Sequence, residues 1–157
     1  MMKTDTNRLK YFTVFLARPI LSALFFLLVL FAYSANAQVA VIAHPSVPDE
    51  GLDEGVLLDF YSGDIQEWSN GDKIVVYDLK DPKKLKDIFY KFLGKSSSRM
   101  KSIWMKKMLA GESVPPESLD DEEKMLKMVA ETPGAIGFIS AEKVKDTVKL
   151  VATIDGG

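Results

Sequence analysis

The chain has 157 residues, 47% of them hydrophobic and 27% charged, with a formal net charge of −2. This is the composition of an ordinary globular protein, and the length after an N-terminal leader suits one domain with one core. It contains no cysteine, which excludes disulfides, thiol nucleophiles and a lipid attached at a leader cleavage site.

The first 37 residues read as a leader. Lys3, Arg8, Lys10 and Arg18 stand against one acid, Asp5. An almost unbroken apolar run, Ile20 to Tyr33, follows, and then Ser34-Ala35-Asn36-Ala37. A basic start, a short apolar stretch and a small-x-small end describe a secretory signal peptide. The run is short of the about 20 residues that span a bilayer. The expected domains are therefore a signal peptide at 1–37 and a single folded domain at 38–157. Cleavage between Ala37 and Gln38 would place the mature protein in the periplasm or outside the cell; the alternative is a leader kept as an anchor.

The mature chain is expected to begin with a strand at Gln38–Ala43, ended by His44-Pro45. Asp53 caps a short helix carrying Val56, Leu57 and Phe60, which Ser62-Gly63 closes. Trp68-Ser69-Asn70-Gly71-Asp72 is a reversal, because Asn-Gly favours positive φ. Lys73–Tyr77 is the second strand. Pro82, with Asp81 before it, suits the start of a helix whose face is Leu85, Ile88, Phe89, Phe92 and Leu93. Gly94 ends that helix. Ser96-Ser97-Ser98 begins another, with Met100, Ile103, Trp104 and Met108 on one side. Gly111 stops it, and Pro115-Pro116 is a rigid connector. Ser118 is expected to cap a third helix of this group, with Asp120, Asp121, Glu122 and Glu123 in its first turn and Leu119, Leu126, Val129 and Ala130 facing inward.

The chain is organised around the stretch that follows, Glu131 to Ile139. Pro133 and Gly134 end a helix. Ala135-Ile136-Gly137-Phe138-Ile139 reads as a buried strand. Gly137 inside it points to close approach by another backbone segment or by a ligand. Ser140 is expected to cap one turn, Ala141 to Lys145, before a last strand at Val148–Ile154. The order β-α-β-α-α-α-β-turn-β predicts an α/β fold, a central sheet flanked by helices, with Phe89, Trp104, Leu126 and Ile136 in the core.

No catalytic constellation is present. His44 is the single histidine, there is no Gly-x-Ser-x-Gly elbow, and no glycine-rich phosphate loop precedes a helix. The reading is a non-enzyme without a cofactor or metal. Two features are suited to an anion. One is the start of the Pro82 helix, where free backbone N–H groups meet Lys83, Lys84 and Lys86. The other is the turn after the first strand, where Ser46 offers a hydroxyl. Both follow the carboxyl ends of strands, where ligands of open α/β sheets sit. From Lys83 to Lys107 there are nine basic residues and one acid, Asp87, in a mature chain that is otherwise acidic. Export and the lack of aromatic-basic interleaving exclude nucleic acid as a partner.

These pieces resemble the short substrate-binding proteins of phosphate ABC transporters, within the periplasmic binding protein-like (PBP domain) superfamily. The residues that carry the resemblance are Val41-Ile42-Ala43-His44-Pro45-Ser46, Leu58-Asp59-Phe60-Tyr61-Ser62-Gly63 and Trp68-Ser69-Asn70-Gly71. Phe89, Trp104, Gly111 and Pro115-Pro116 follow in order, then Thr132-Pro133-Gly134-Ala135-Ile136-Gly137-Phe138. The resemblance implies a small single-lobe binding protein-like domain, and phosphate or another small oxyanion as ligand; the candidate ligand residues remain those read above from the helix start and the turn, Ser46, Lys83, Lys84 and Lys86. It implies an envelope transporter or other envelope protein as partner. The sequence departs from the family where short members often show Ser-x-x-Arg. Lys83 takes the serine position and Lys86 the arginine position, so a point charge replaces a bidentate fork. The alternative reading is a non-catalytic interaction module that has lost its ligand and meets a protein or the envelope surface through the basic segment.

Overall fold

Four strands of five or six residues and one of three alternate with helices along most of the chain, and in the computed structural model they form one five-stranded sheet. The structure describes residues 38–80 and 84–156. The expected signal peptide, Asp81, Pro82, Lys83 and Gly157 lie outside the described residues. In chain order the elements are β1 (Val39–Ala43), α1 (Glu54–Ser62), β2 (Val75–Leu79), α2 (Lys84–Phe92), α3 (Ser97–Leu109), β3 (Glu117–Leu119), α4 (Glu122–Glu131), β4 (Ala135–Ser140), a 3₁₀ turn at Ala141–Lys143, and β5 (Lys149–Ile154).

The strands lie in the order β3-β2-β4-β1-β5. Strands β2, β3 and β4 are mutually parallel, whereas β1 is antiparallel to both β4 and β5. The expected α/β class holds. Central β1 reads Val-Ala-Val-Ile-Ala and is buried at every position, as a strand covered on both faces must be. β5, at the edge, buries only Val151 and Ile154.

Local signals account for most element ends. Asp53 Oδ1 accepts from Val56 N at 2.9 Å and starts α1. Ser96 Oγ accepts from Arg99 N at 3.2 Å and starts α3. Gly63 and Gly94 take positive φ after α1 and α2. The second strand sits two residues later than expected. The region after Pro116 differs more. Ser118 does not cap a helix but lies in β3, paired with Asp78 of β2. The cap of α4 is Asp121, whose Oδ1 accepts from Lys124 N at 2.7 Å. A three-residue strand has no resolvable period, and Ser118 followed by acids imitates a helix start. Likewise Ser140 makes no side-chain cap of the 3₁₀ turn.

The core is aromatic at its centre. Phe89 of α2 stacks on Phe138 of β4 at 4.2 Å between centroids and meets Tyr61 edge-on at 4.6 Å. Phe89, Leu126 and Ile136 are buried as expected. Trp104 is only half-buried, because α3 packs against the end of α1 and not into the centre of the sheet. Gly137 faces Met125 and Val129 of α4, so the close approach is made by helix side chains and not by another backbone segment.

Candidate functional site

The junction between α4 and β4 is tied to the start of β2. The Gly134 carbonyl accepts from Trp68 Nε1 at 2.9 Å and from Val75 N at 3.0 Å. Gly134 has φ +74°, and a Cβ there would strike the Lys73 carbonyl. The Trp68 reversal and the Thr-Pro-Gly junction, 66 residues apart, are thus two sides of one contact. Its polar atoms bond to each other and it is structural.

The residues expected to hold an anion are divided between two ends of the sheet. Ala43, the last residue of β1, pairs with Ile136, and so does Val76 near the start of β2. The carboxyl end of β1 therefore lies by the amino end of β2, and Ser46 is separated from the end of β2 by at least the roughly 10 Å of strand from Val76 to Leu79. The reason is the reversed direction of β1. The carboxyl-end rule treats strands as parallel, and an antiparallel strand delivers its following loop to the other side. At its own end, Ser46 is exposed. Its hydroxyl lies 2.8 Å from His44 Nδ1, which also accepts the Ser46 backbone N–H at 3.0 Å.

At the other end, Lys84 is the first residue of α2 and is exposed, whereas Lys86 turns inward. Lys86 Nζ donates to Asp78 Oδ2 at 2.7 Å and to the Leu79 carbonyl at 2.6 Å. It also lies 5.5 Å from the centroid of the Tyr90 ring. Both partners of the Lys86–Asp78 pair are largely buried. Asp78 Oδ1 accepts from Leu79 N at 2.8 Å. Burial, and then the Asp78 carboxylate and a hydrogen bond to it, push the Tyr90 phenol well above its ordinary range, so it remains a neutral hydroxyl. Asp78 was not legible as part of a site in the sequence. The one signal available is a lone acid in the apolar run Val75-Val76-Tyr77-Asp78-Leu79, because a carboxylate carried into a sheet needs a cation or hydrogen-bond donors beside it.

The Lys86–Asp78 pair lines a cavity of about 480 Å³ between α2, α3 and β3. The remaining walls are mostly apolar: Met100, Trp104, Met105 and Met108 from α3, with Pro115 and Pro116. Ser118 stands beside Asp78 in the sheet register. Trp104 is fixed by its Nε1, which donates to the Tyr61 carbonyl at 2.9 Å, and by its ring, which packs over Gly63. Around this opening the chain leaves large apolar residues in solvent: Met105 and Met108 at 45% and 48% exposure, Leu109 and Val114 at 80%.

The acidic run at 120–123 is used internally. Asp120 pairs with Lys80 at 2.7 Å, and these hydrogen bonds and charges from Lys80 and then Lys124 lower its carboxyl below the usual range. Glu122 Oε2 accepts from Ser140 N at 2.6 Å, and its Oε1 from Lys143 Nζ at 2.9 Å. Among the described residues no group of three His, Asp or Glu side chains is placed to hold a metal, and no helix is long and apolar enough to cross a membrane.

No protein-family model and no curated protein matches the chain. Solved structures do. One, assigned as a phosphate ABC transporter substrate-binding protein from Clostridium perfringens and holding phosphate, superposes with a TM-score of 0.60 and 25% identity over 73% of this chain and 45% of its own. PstS from Borrelia burgdorferi gives a TM-score of 0.53 at 16% identity, over 74% of this chain and 48% of that one. An ABC-type phosphate transport receptor from Vibrio cholerae gives 0.49 at 21%, over 73% and 46%. The chain spans about half the length of these structures. Its mixed five-stranded sheet with helices packed on it is the periplasmic binding protein-like α/β fold.

Proposed function

We propose that the chain is an exported, non-enzymatic solute-binding-like protein, serving uptake or sensing of phosphate or another small oxyanion beside an ABC transporter. The observation that carries this is the likeness in fold to the Clostridium perfringens protein, which holds phosphate. The leader-like first 37 residues support export, and the lysines at the start of α2 support an anionic ligand. In this reading Lys84 and Lys86, with Lys83, attract the anion. Ser46 belongs to a second, separate polar turn. The domain acts as one lobe of the binding protein-like fold.

A thermal-shift screen of the chain from Gln38 against phosphate, sulfate and organic acids tests the reading. A ligand at 100 times its dissociation constant adds about 2.7 kcal/mol. For a domain of this size that is a rise of several degrees in Tm. Export is tested by mass spectrometry of the native protein from the cell envelope: the expected N-terminus is Gln38, and Met1 would leave an anchor in its place.

A second reading is favoured by one observation. The ammonium of Lys86, at the arginine position of the family pattern, already has a carboxylate and a carbonyl as partners. An interaction module that has kept the fold would meet an envelope protein through the basic segment. No shift with any small molecule, together with a salt-sensitive partner in an envelope pull-down, would decide for it.

A further inference from the structure

The cavity beside Lys86 has a chemistry that a bare inorganic ion does not use. A volume of about 480 Å³ lies within the range of small-molecule sites, roughly 300–1,000 Å³. A phosphate ion would fill a small part of it and leave the methionines and prolines against water. The charged groups on its wall are Asp78, Lys86 and Lys101, a surplus of one positive charge. An ammonium has three protons. Two of those on Lys86 go to Asp78 and Leu79, and the third has no protein acceptor among the described residues. The Ser118 hydroxyl, next to Asp78 in the register, likewise has no hydrogen-bond partner among them. Polar donors are thus gathered where α2 meets the sheet, and thioethers and an indole line the wall formed by α3. Methionine walls adapt to ligands of varied outline.

We propose that this cavity binds a small organic monoanion: an apolar body laid against Met100, Trp104, Met105 and Met108, and one acceptor head, such as a carboxylate, at Lys86 and Ser118. This rests on the solute-binding reading and narrows its ligand class. It also gives the solvent-exposed Met105 and Met108 a role at the mouth of the site.

The test is calorimetric titration of the chain from Gln38 with inorganic phosphate, acetate, phenylacetate, 3-phenylpropionate and 4-phenylbutyrate, each at low salt. Fluorescence of Trp104, which lines the cavity, reports occupancy. Affinity is expected to rise along the carboxylates, about three- to fourfold for each methylene buried. Met105→Glu, at an exposed position of the wall, is expected to weaken 4-phenylbutyrate at least tenfold, and Leu109→Ser, off the wall, to leave it unchanged. If phosphate binds and no phenylalkanoate exceeds acetate, the inference falls and the solute-binding reading stands. If neither phosphate nor any carboxylate binds, both fall. A chain-length trend that survives intact in Met105→Glu also overturns the inference, because the ligand would then lie elsewhere.

Discussion

The neighbourhood of Gly134 and Gly137 and the neighbourhood of Trp104 both bring a helix against the sheet, by different means. In the first, glycines remove side chains so that α4 and the β2 start come close, and Trp68 spends its one donor on a backbone carbonyl. In the second, α3 stands off from β2 and β3. A bulky indole fixes its position at α1, and the gap that results has an ion pair on its wall. Four large apolar residues stay exposed there. The difference separates a closely packed region from one where packing is left incomplete around polar groups. Incomplete packing costs stability, because the wall atoms lose contacts on one side, and a buried ion pair adds a desolvation penalty.

The largest expected effect belongs to the packed region. Phe89→Ala removes the ring between Phe138 and Tyr61 and should cost about 3–5 kcal/mol in urea unfolding. The paired change in the open region, Leu109→Ser, should stay within about 0.5 kcal/mol. Similar losses from the two variants would break the comparison.

Gly137→Ala comes next. Its new Cβ would overlap the Met125 thioether and crowd Val129, both buried in α4. A thioether yields more readily than backbone, so the expected loss is about 1–3 kcal/mol. Chemical denaturation of Gly137→Ala, alone and with Met125→Ala, measures it. If the double variant recovers nothing over Met125→Ala, contact with the helix is not what the glycine serves.

These two regions were not equally legible in the sequence. The helix stop at Pro133-Gly134, the buried strand after it and the Leu85–Leu93 helical face are long or sharply punctuated signals. Each sets local conformation by itself, and the structure keeps them. Three residues of strand cannot show a period, whereas Ser118 followed by Asp and Glu imitates a helix cap, so the sequence around it points to a helix start that the fold places at Asp121. Lys86 was visible as a charge but not as half of a pair, because Asp78 lies in another element and only the fold brings it to 2.7 Å. The separation of Ser46 from Lys86 follows from the direction of β1. Antiparallel pairing is decided between distant strands, and no local residue pattern encodes it.

Lys86→Met tests the polar wall of the open region. It leaves Asp78 with only the Leu79 N–H and the Tyr90 phenol as donors, in a largely buried place. The expected cost is about 1–3 kcal/mol at neutral pH. Asp78→Asn with Lys86→Met together should cost less than Lys86→Met alone, because no uncompensated charge remains. If Lys86→Met proves neutral, the pair is loosely held and the cavity wall is not fixed as described.

The smallest effect depends on pH and lies where the packed region meets the next turn. Burial raises the carboxyl of Glu122, but the Ser140 N–H and then Lys143 outweigh it and hold the group below its ordinary value of 4.5. A carboxyl lowered on folding stabilises the fold fully above its unfolded value, near pH 4.5, and the contribution disappears as pH falls through the lower folded value. Glu122→Gln keeps an acceptor for Ser140 but has no charge to lose. At pH 7 it should be about 1 kcal/mol less stable than the parent protein. Below the folded value the two should converge, so urea midpoints measured from pH 7 down to pH 3 should draw together across the acid range. A gap that stays constant to pH 3 would mean that Glu122 holds the α4 start to the end of β4 by shape alone. The electrostatic tie between Glu122, Ser140 and Lys143 would then have no part in keeping the packed region closed.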